Sequence, residues 1–318
     1  MRIGIVVDSA CDLPAEFLQR HEITVLPIGV HLDGETLVDD RSPEVRQRFL
    51  DQNLGARGHA AETEPYSAEQ IRELFLGRLV LDYDCVFCLT ITATRSPIHD
   101  NASRASFAIL KDYRPIRRDA GVPGPFLMRV IDTENLFAAQ GVTAVEAARL
   151  RDAGQTPGQI RERLEQIARH TYGYMLPRDL YYLRARAQKK GDRSVGWFSA
   201  ALGTALDIKP LLRGHRGETG AVAKARGFEH GAQMLFQHAA QRVRIGLMTP
   251  TLCVSYGGDP VELAALPGYA ELLQTCAEHA VEVYESPMSV TGMINVGTGA
   301  VTLGFAAEDY EFSARAAE

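Results

Sequence analysis

The sequence predicts an α/β fold built as two α/β domains. Three observations carry that prediction. Short apolar, β-branched runs alternate with helical patterns through the first half of the chain. That is the pattern of a mostly parallel sheet with helices on both faces. Small polar residues recur just after those runs, at Asp8-Ser9, Thr92 to Ser96 and Asp132-Thr133. The ends of parallel strands are where an open sheet assembles a site. Finally, 318 residues are long for one compact domain and comfortable for two. The boundary is expected near residue 168, giving an N-terminal domain of residues 1–168 and a second domain of residues 169–318, with the site between them.

The elements follow in order. Ile3 to Val7 is the first strand, and a helix from Pro14 to about His21 comes next, with Asp12 as its cap. Ile23 to Val30 reads as the second strand. Residues 31–66 are polar and irregular, with a helical patch near Pro43 to Leu50. Ser67-Ala68-Glu69-Gln70 is a capping box opening a helix to about Arg78. Cys85 to Ile91 is the third strand, followed by a helix from about Asp100 to Asp112. Leu127 to Ile131 is the fourth strand, ahead of a long amphipathic helix from about Ala138 to Ala153. Thr156-Pro157-Gly158-Gln159 is a second capping box, opening a helix to about His170.

Tyr172 to Met175 begins the second domain, and a helix-rich segment, about Pro177 to Leu206, leads to a strand from Ile208 to Leu212. A turn at Arg213 to Gly220 joins it, as in a hairpin, to Ala221 to Lys224. A helix from about Glu229 to Val243 follows, then strands at Arg244 to Met248 and Thr251 to Tyr256. A helix from about Pro267 to His279 and a strand from Val281 to Ser286 precede a glycine-containing segment and a closing apolar strand.

Composition narrows the function. A net charge of -6 with scattered basic residues argues against nucleic acid, which needs clustered positive charge. No apolar run reaches the roughly 18 residues of a spanning helix. Met1 leads straight into a strand, so no secretory signal is read and a cytoplasmic protein is expected. Five irregularly placed cysteines disfavour a disulfide framework. Cys85 and Cys88 stand three apart on a strand and therefore point to opposite faces. His170, His215, His230 and His238 have no metal-ligand spacing and read as solvated.

Ser96 and Thr63 are hydroxyls in loop contexts. A nucleophilic serine needs a base, and His99, three residues on, is the nearest in sequence. There is no G-x-S-x-G elbow, no G-x-G-x-x-G and no phosphate-binding G-x-x-x-x-G-K. Gly297-Thr298-Gly299 either brings backbone N–H groups near a small anion or lets the chain turn.

With these residues in place, the chain resembles the DegV family of bacterial fatty-acid-binding proteins along nearly its whole length. The markers are VVDSACDLP at the start, Thr63-Glu64-Pro65, Thr92 to Ser96, VIDTENLFAAQG (130–141), EAARL (146–150), LGTALDIKPLL (202–212), Lys224-Ala225-Arg226 and GTGAVTLGFA (297–306). The resemblance implies two α/β domains clasping one long-chain fatty acid, whose carboxylate meets Thr63 and Ser96. It implies a lipid carrier with no catalytic residue, metal or cofactor of its own. Its partner would be a fatty acid kinase that phosphorylates the presented carboxylate for phospholipid synthesis, with transient contact with a membrane surface. Thr94 and Ser9 join the expected head-group contacts, Asp8 and Asp132 are expected behind them, and Lys224 and Arg226 are expected to meet the partner or developing phosphate charge. Phe198, Leu202, Leu206 and Ile208 are candidate pocket walls.

Three features depart from the family pattern. Pro97 stands where the family usually has glycine, which removes one N–H. Asn295 stands where the family has a carboxylate-binding histidine, so this position donates a hydrogen bond without positive charge. The segment before Leu202, with KKGDRSVGWF, is longer than usual. The competing reading is a hydrolase or transferase acting on a small acyl or phosphate substrate at the same cleft, with Ser96 or Asp8 catalytic.

Overall fold

The computed structural model describes residues 1–32, 35–55, 61–179 and 207–312. Most of the expected helix-rich segment, with Phe198, Leu202 and Leu206, lies outside the described residues.

The alternation in the first half folds as predicted. Strand β1 (Ile3–Asp8) is followed by α1 (Ala15–Arg20) and β2 (Thr24–Leu26). The expected second strand is cut at Pro27, which donates no ladder hydrogen bond. Its remainder becomes β3 (Ile28–Leu32), in a different sheet. Then come β4 (Glu35–Asp39), α2 (Pro43–Asp51), β5 (Ala61–Pro65) and α3 (Ala68–Leu74). A π-helical turn, Phe75–Leu79, continues α3 into the short helix α4 (Val80–Asp82). Next are β6 (Cys85–Thr90), α5 (Ile98–Ala108), a tight turn at Ile109–Lys111, α6 (Tyr113–Asp119), β7 (Leu127–Asp132), α7 (Phe137–Asp152) and α8 (Pro157–His170).

The capping boxes at Ser67 and Thr156 are both formed. Asp12 caps nothing. It is fully buried and bonded to Arg41, and α1 starts from Pro14 without a side-chain cap.

Strands β2, β1, β6 and β7 form one parallel sheet in that order, with Ile3 opposite Cys85 and Cys88 opposite Val130. Its strands all end at one edge, at Leu26, Asp8, Thr90 and Asp132. Cys85 and Cys88 enter different apolar clusters on its two faces. Strands β4, β3 and β5 form a separate antiparallel sheet, with Val30 opposite Thr63.

The second half supplies β8 (Thr171–Leu176), β9 (Ile208–His215), β10 (Glu218–Arg226), α9 (Phe228–Ile245), β11 (Thr251–Tyr256), α10 (Pro260–Ala264), α11 (Tyr269–Glu278), β12 (Glu282–Pro287), α12 (Val290–Val296) and β13 (Val301–Ala306). Its strands make one six-stranded sheet, ordered β10-β9-β8-β13-β11-β12. The strand expected at Arg244 to Met248 is absent. Arg244 and Ile245 are the last turn of α9, which ends at Gly246 in a positive-φ conformation.

Helix α7 joins the two large sheets. It packs on β1 and β6 on one side and on β8, β11 and β13 on the other. Every residue from Phe137 to Ala148 is buried, so α7 is not the one-faced amphipathic helix expected. The close approach depends on glycines. A Cβ added at Gly304 would overlap Ala139, and one at Gly141 would lie 2.9 Å from Leu13.

Candidate functional site

The site is read at the shared edge of the parallel sheet. Asp8 ends β1 and is fully buried. Its carboxylate accepts from the N–H groups of Ala10 (3.1 Å) and Ile91 (2.6 Å) and from the Gln140 side-chain amide (3.1 Å). These donors favour the charged form, but burial outweighs them and pushes the group up to about 6. Asp8 therefore anchors the start of the loop after β6. Asp132 anchors the same loop two residues on, accepting from Ala93 N–H at 3.1 Å and from Glu134 N–H at 2.7 Å.

Ser9 is buried, and its hydroxyl has no partner among the described residues. Thr94 is spent on the fold. Its hydroxyl donates to Gly217 O at 2.6 Å, and Gly217 N–H donates to Glu134 O at 2.9 Å. The β9–β10 turn is thereby docked onto the β6 loop. Gly217 has a φ of 76° and sits where a Cβ would come 3.1 Å from Thr94. Thr94 is thus an inter-domain contact here, with a carbonyl occupying its donor.

Ser96 is half-buried, and its Oγ accepts from Ile98 N–H at 3.3 Å as α5 begins. Accepting there leaves the hydroxyl proton free to donate. His99 bonds Thr90 Oγ1 through Nδ1 at 3.1 Å. Thr63 is half-buried in the edge strand β5, between exposed Glu62 and Glu64, and its hydroxyl makes no hydrogen bond among the described residues. Asn295, on α12, gives one amide proton to Thr291 O at 2.7 Å and keeps a second.

Thr63, Ser96 and Asn295 are not bonded to one another, yet all three stand on elements that feed one apolar cluster. Val30 and Ala61 bring the β5 side, Ile91 and Ile98 the Ser96 loop, and Ile294 and Val296 the Asn295 helix. Lys224 and Arg226 are exposed at the opposite end of β10 from Gly217, roughly 25 Å along the strand. Ile208 is half-buried at the start of β9.

The Gly297–Gly299 segment resolves as a turn. Gly297 N–H bonds Met293 O at 2.8 Å and Gly299 N–H bonds Gly257 O at 3.0 Å, so neither is offered to an anion. Two histidines read as solvated are not: His238 is buried against Tyr174 Oη at 3.1 Å, and His215 stacks on Tyr172. No group of three or more metal-type ligands occurs among the described residues.

Sequence reasoning missed Gln140 and Arg41. Gln140 had a signal, an amide in the otherwise apolar FAAQGV run, since a buried amide requires a partner. Arg41 had none. Its guanidinium reaches Asp12 Oδ1 (3.0 Å), Leu13 O (3.1 Å), Ser286 Oγ (2.8 Å) and Pro287 O (3.1 Å), contacts with no sequence periodicity.

A family model described as "Uncharacterised protein, DegV family" matches residues 2–308. The chain belongs to the DegV family. A DegV domain-containing protein of Xanthomonas axonopodis pv. citri is 63% identical over 314 residues, covering 99% of this chain and all of its own length. A Thermotoga maritima protein named as a fatty acid-binding protein is 25% identical over 314 residues, covering 98% of this chain and 99% of that one. Among solved DegV structures, that of the Bacillus subtilis fatty acid binding protein superposes with a TM-score of 0.75 at 20% identity, covering 97% of this chain and 100% of that one. A stearic acid-binding protein of Eubacterium ventriosum superposes with a TM-score of 0.75 at 23% identity, covering 96% and 98%. The DegV fold is therefore shared across nearly the whole chain.

Proposed function

We propose that this DegV chain is a non-catalytic carrier of one long-chain fatty acid, held between residues 1–168 and 169–318 with its carboxylate at Thr63, Ser96 and Asn295. The observation that carries the reading is chemical. Ser96 and Thr63 have hydroxyl protons to donate, Asn295 has an amide proton, and each stands beside apolar residues of one cluster. Donors without a fixed cation suit an anionic head group that must also leave. The tail supplies the affinity, at roughly 0.8 kcal/mol per buried CH₂. His99 is engaged by Thr90 rather than Ser96, which speaks against a serine nucleophile. Ser9, Asp8 and Asp132 would hold the loop that presents Ser96. Lys224 and Arg226 would face a kinase that phosphorylates the presented carboxylate.

Organic extraction of the purified protein followed by mass spectrometry tests the reading. A bound fatty acid is expected, or else tight uptake of added oleate or palmitate; the absence of both would sink the proposal. Ser96→Ala and Thr63→Ala should each weaken binding about 10- to 100-fold, the worth of a hydrogen bond to a charged group. Presentation to a kinase predicts ATP-dependent acyl phosphate formation only when carrier and kinase are both present.

A further inference from the structure

We propose that the β9–β10 turn is a clamp that positions Ser96, so that head-group affinity is tied to how the second domain seats against the first. The inference rests on the carrier reading and names what regulates that site.

The clamp begins with a rigid turn. His215 pairs with Glu218 across the hairpin, leaving Arg216 and Gly217 as a two-residue loop. Both are left-handed, with φ of 50° and 76°, the conformation that matches the twist of a tight hairpin. The turn reaches across to the loop after β6, where Arg95 N–H closes a turn on Thr92 O at 3.0 Å and Ser96 follows directly. Thr94 stands inside that turn and gives its one hydroxyl proton to Gly217 O at 2.6 Å. It has none left for a carboxylate, so its effect on the head group passes through the loop. Asp8 and Asp132 hold the loop from the first domain, at Ile91 and Ala93. Thr94 is held from the second, two residues before Ser96.

The turn is itself held from behind. Arg216 gives its Nε proton to Arg169 O at 3.2 Å and meets both oxygens of Asp309, at 2.7 and 2.9 Å. Asp309 opens a C-terminal strap. The Tyr310 hydroxyl bonds that of Tyr174 at 2.6 Å, and the Arg242 guanidinium lies 3.9 Å over the Tyr310 ring. Phe312 packs on His238, ring centres 4.4 Å apart. His215, which leads into the turn, stacks on Tyr172 at 4.0 Å. Strap and stack fix the turn to the core of the second domain. Gly217 leaves no slack at the other end, since a Cβ there would lie 3.1 Å from Thr94 Cγ2 and 3.2 Å from Thr92 Oγ1. A shift of the second domain is thus passed to the loop that carries Ser96.

The test measures binding of oleate and of methyl oleate by the full-length protein stripped of lipid, with amide exchange at residues 92–96 alongside. Thr94→Val should weaken oleate about 3- to 10-fold, the worth of one neutral hydrogen bond, and Thr94→Ser should restore it. Gly217→Ala should reproduce the loss with every loop hydroxyl intact, because its Cβ pushes the turn off Thr94. The double variant should be no more than about 2-fold weaker than the weaker single one, since both changes break one contact. Methyl oleate keeps the tail and lacks the charge, so it should change less than about 2-fold in each. Asp309→Ala removes a half-exposed ion pair and should weaken oleate about 2-fold. It lies away from Thr94 and keeps the test open should Gly217→Ala fold poorly. Melting temperatures close to that of the wild type would show that the variants fold. Loss with Thr94→Val but not with Gly217→Ala would make Thr94 a direct head-group contact. Additive losses, or equal loss of methyl oleate, would make the damage general. Each of these overturns the clamp, as does oleate affinity indifferent to all three changes. Amide exchange separates the two readings. Faster exchange at residues 92–96 in Thr94→Val and Gly217→Ala, in a chain that never binds oleate, overturns the carrier reading alone. Tight oleate binding with affinity and exchange both unchanged overturns the clamp alone.

Discussion

Asp8 keeps a carboxylate where water does not reach it, and that has a measurable sign. Its ordinary value is 3.8 and burial lifts it to about 6. Below about pH 4 the group is protonated in both folded and unfolded chains, and its contribution to stability is fully present. As pH rises through 6 the unfolded chain has already released the proton while the folded chain must give it up at a cost. Stability from Asp8 is therefore lost on going up in pH, by about 3 kcal/mol in all. Asp12 and Asp39 are raised for the same reason and act in the same direction. Asp8→Asn isolates the first of them, because it keeps one oxygen for Ile91 or Ala10 and cannot ionise. The stability difference between wild type and Asp8→Asn, from urea unfolding, should shift by about 2 kcal/mol in the variant's favour between pH 4.5 and 7. A constant difference would remove Asp8 as the titrating group.

Among the elements, α7 has the most exacting fit. Gly304 in β13 meets Ala139 with no room for a side chain, and the obstacle is backbone, which cannot swing away. Gly304→Ala should cost about 1–3 kcal/mol by forcing the helix off the sheet. Gly77, with open space around it, should accept Ala at no cost. Thermal unfolding of the two variants makes the comparison. The same element shows what a sequence does and does not disclose. Capping boxes at Ser67 and Thr156 were legible because their partners are three residues away. The all-round burial of α7 was not, because its second face is covered by β8, β11 and β13, strands spread from about 30 to about 160 residues later in the chain. Strands β4 and β5 were missed because ETLVD and AETEP are rich in residues that strands disfavour. Helix α12 hid behind Gly292 and β-branched Thr291 and Val290. Of the site, the loops bearing Ser96 and Asp132 were legible from where polar residues follow apolar runs. The docking of Gly217 on Thr94 was not, since it joins residues 123 apart.

At the scale of the whole molecule, the question is what holds the small β4-β3-β5 sheet, and Thr63 with it, against the second half. The structure concentrates that task on Arg41, at the end of β4. The guanidinium is nearly buried, pairs with the fully buried Asp12, and spans to Ser286 and Pro287 at the end of β12. Asp12 in turn accepts from Ser255 Oγ at 2.6 Å and Ser289 N–H at 2.9 Å. Asp39 accepts from Thr291 N–H at 2.8 Å, and Arg46 donates to Gly258 O at 2.8 Å. Removing one member of a buried pair strands the other charge, so Arg41→Ala should cost about 3–5 kcal/mol, more than most surface arginines would. Neutralising the stranded partner should recover part of that loss, so Arg41→Ala with Asp12→Asn should be less destabilised than the two single costs added together, by about 0.5–3 kcal/mol. The loss should also be local before it is global. Amide exchange in β3, β4 and β5 should accelerate in Arg41→Ala under native conditions, while β1 and β6, paired with each other and packed under α7, keep their protection. Additive costs in the cycle, or uniform loss of protection across both sheets, would mean that apolar packing alone seats the small sheet and that Arg41 is not its clasp.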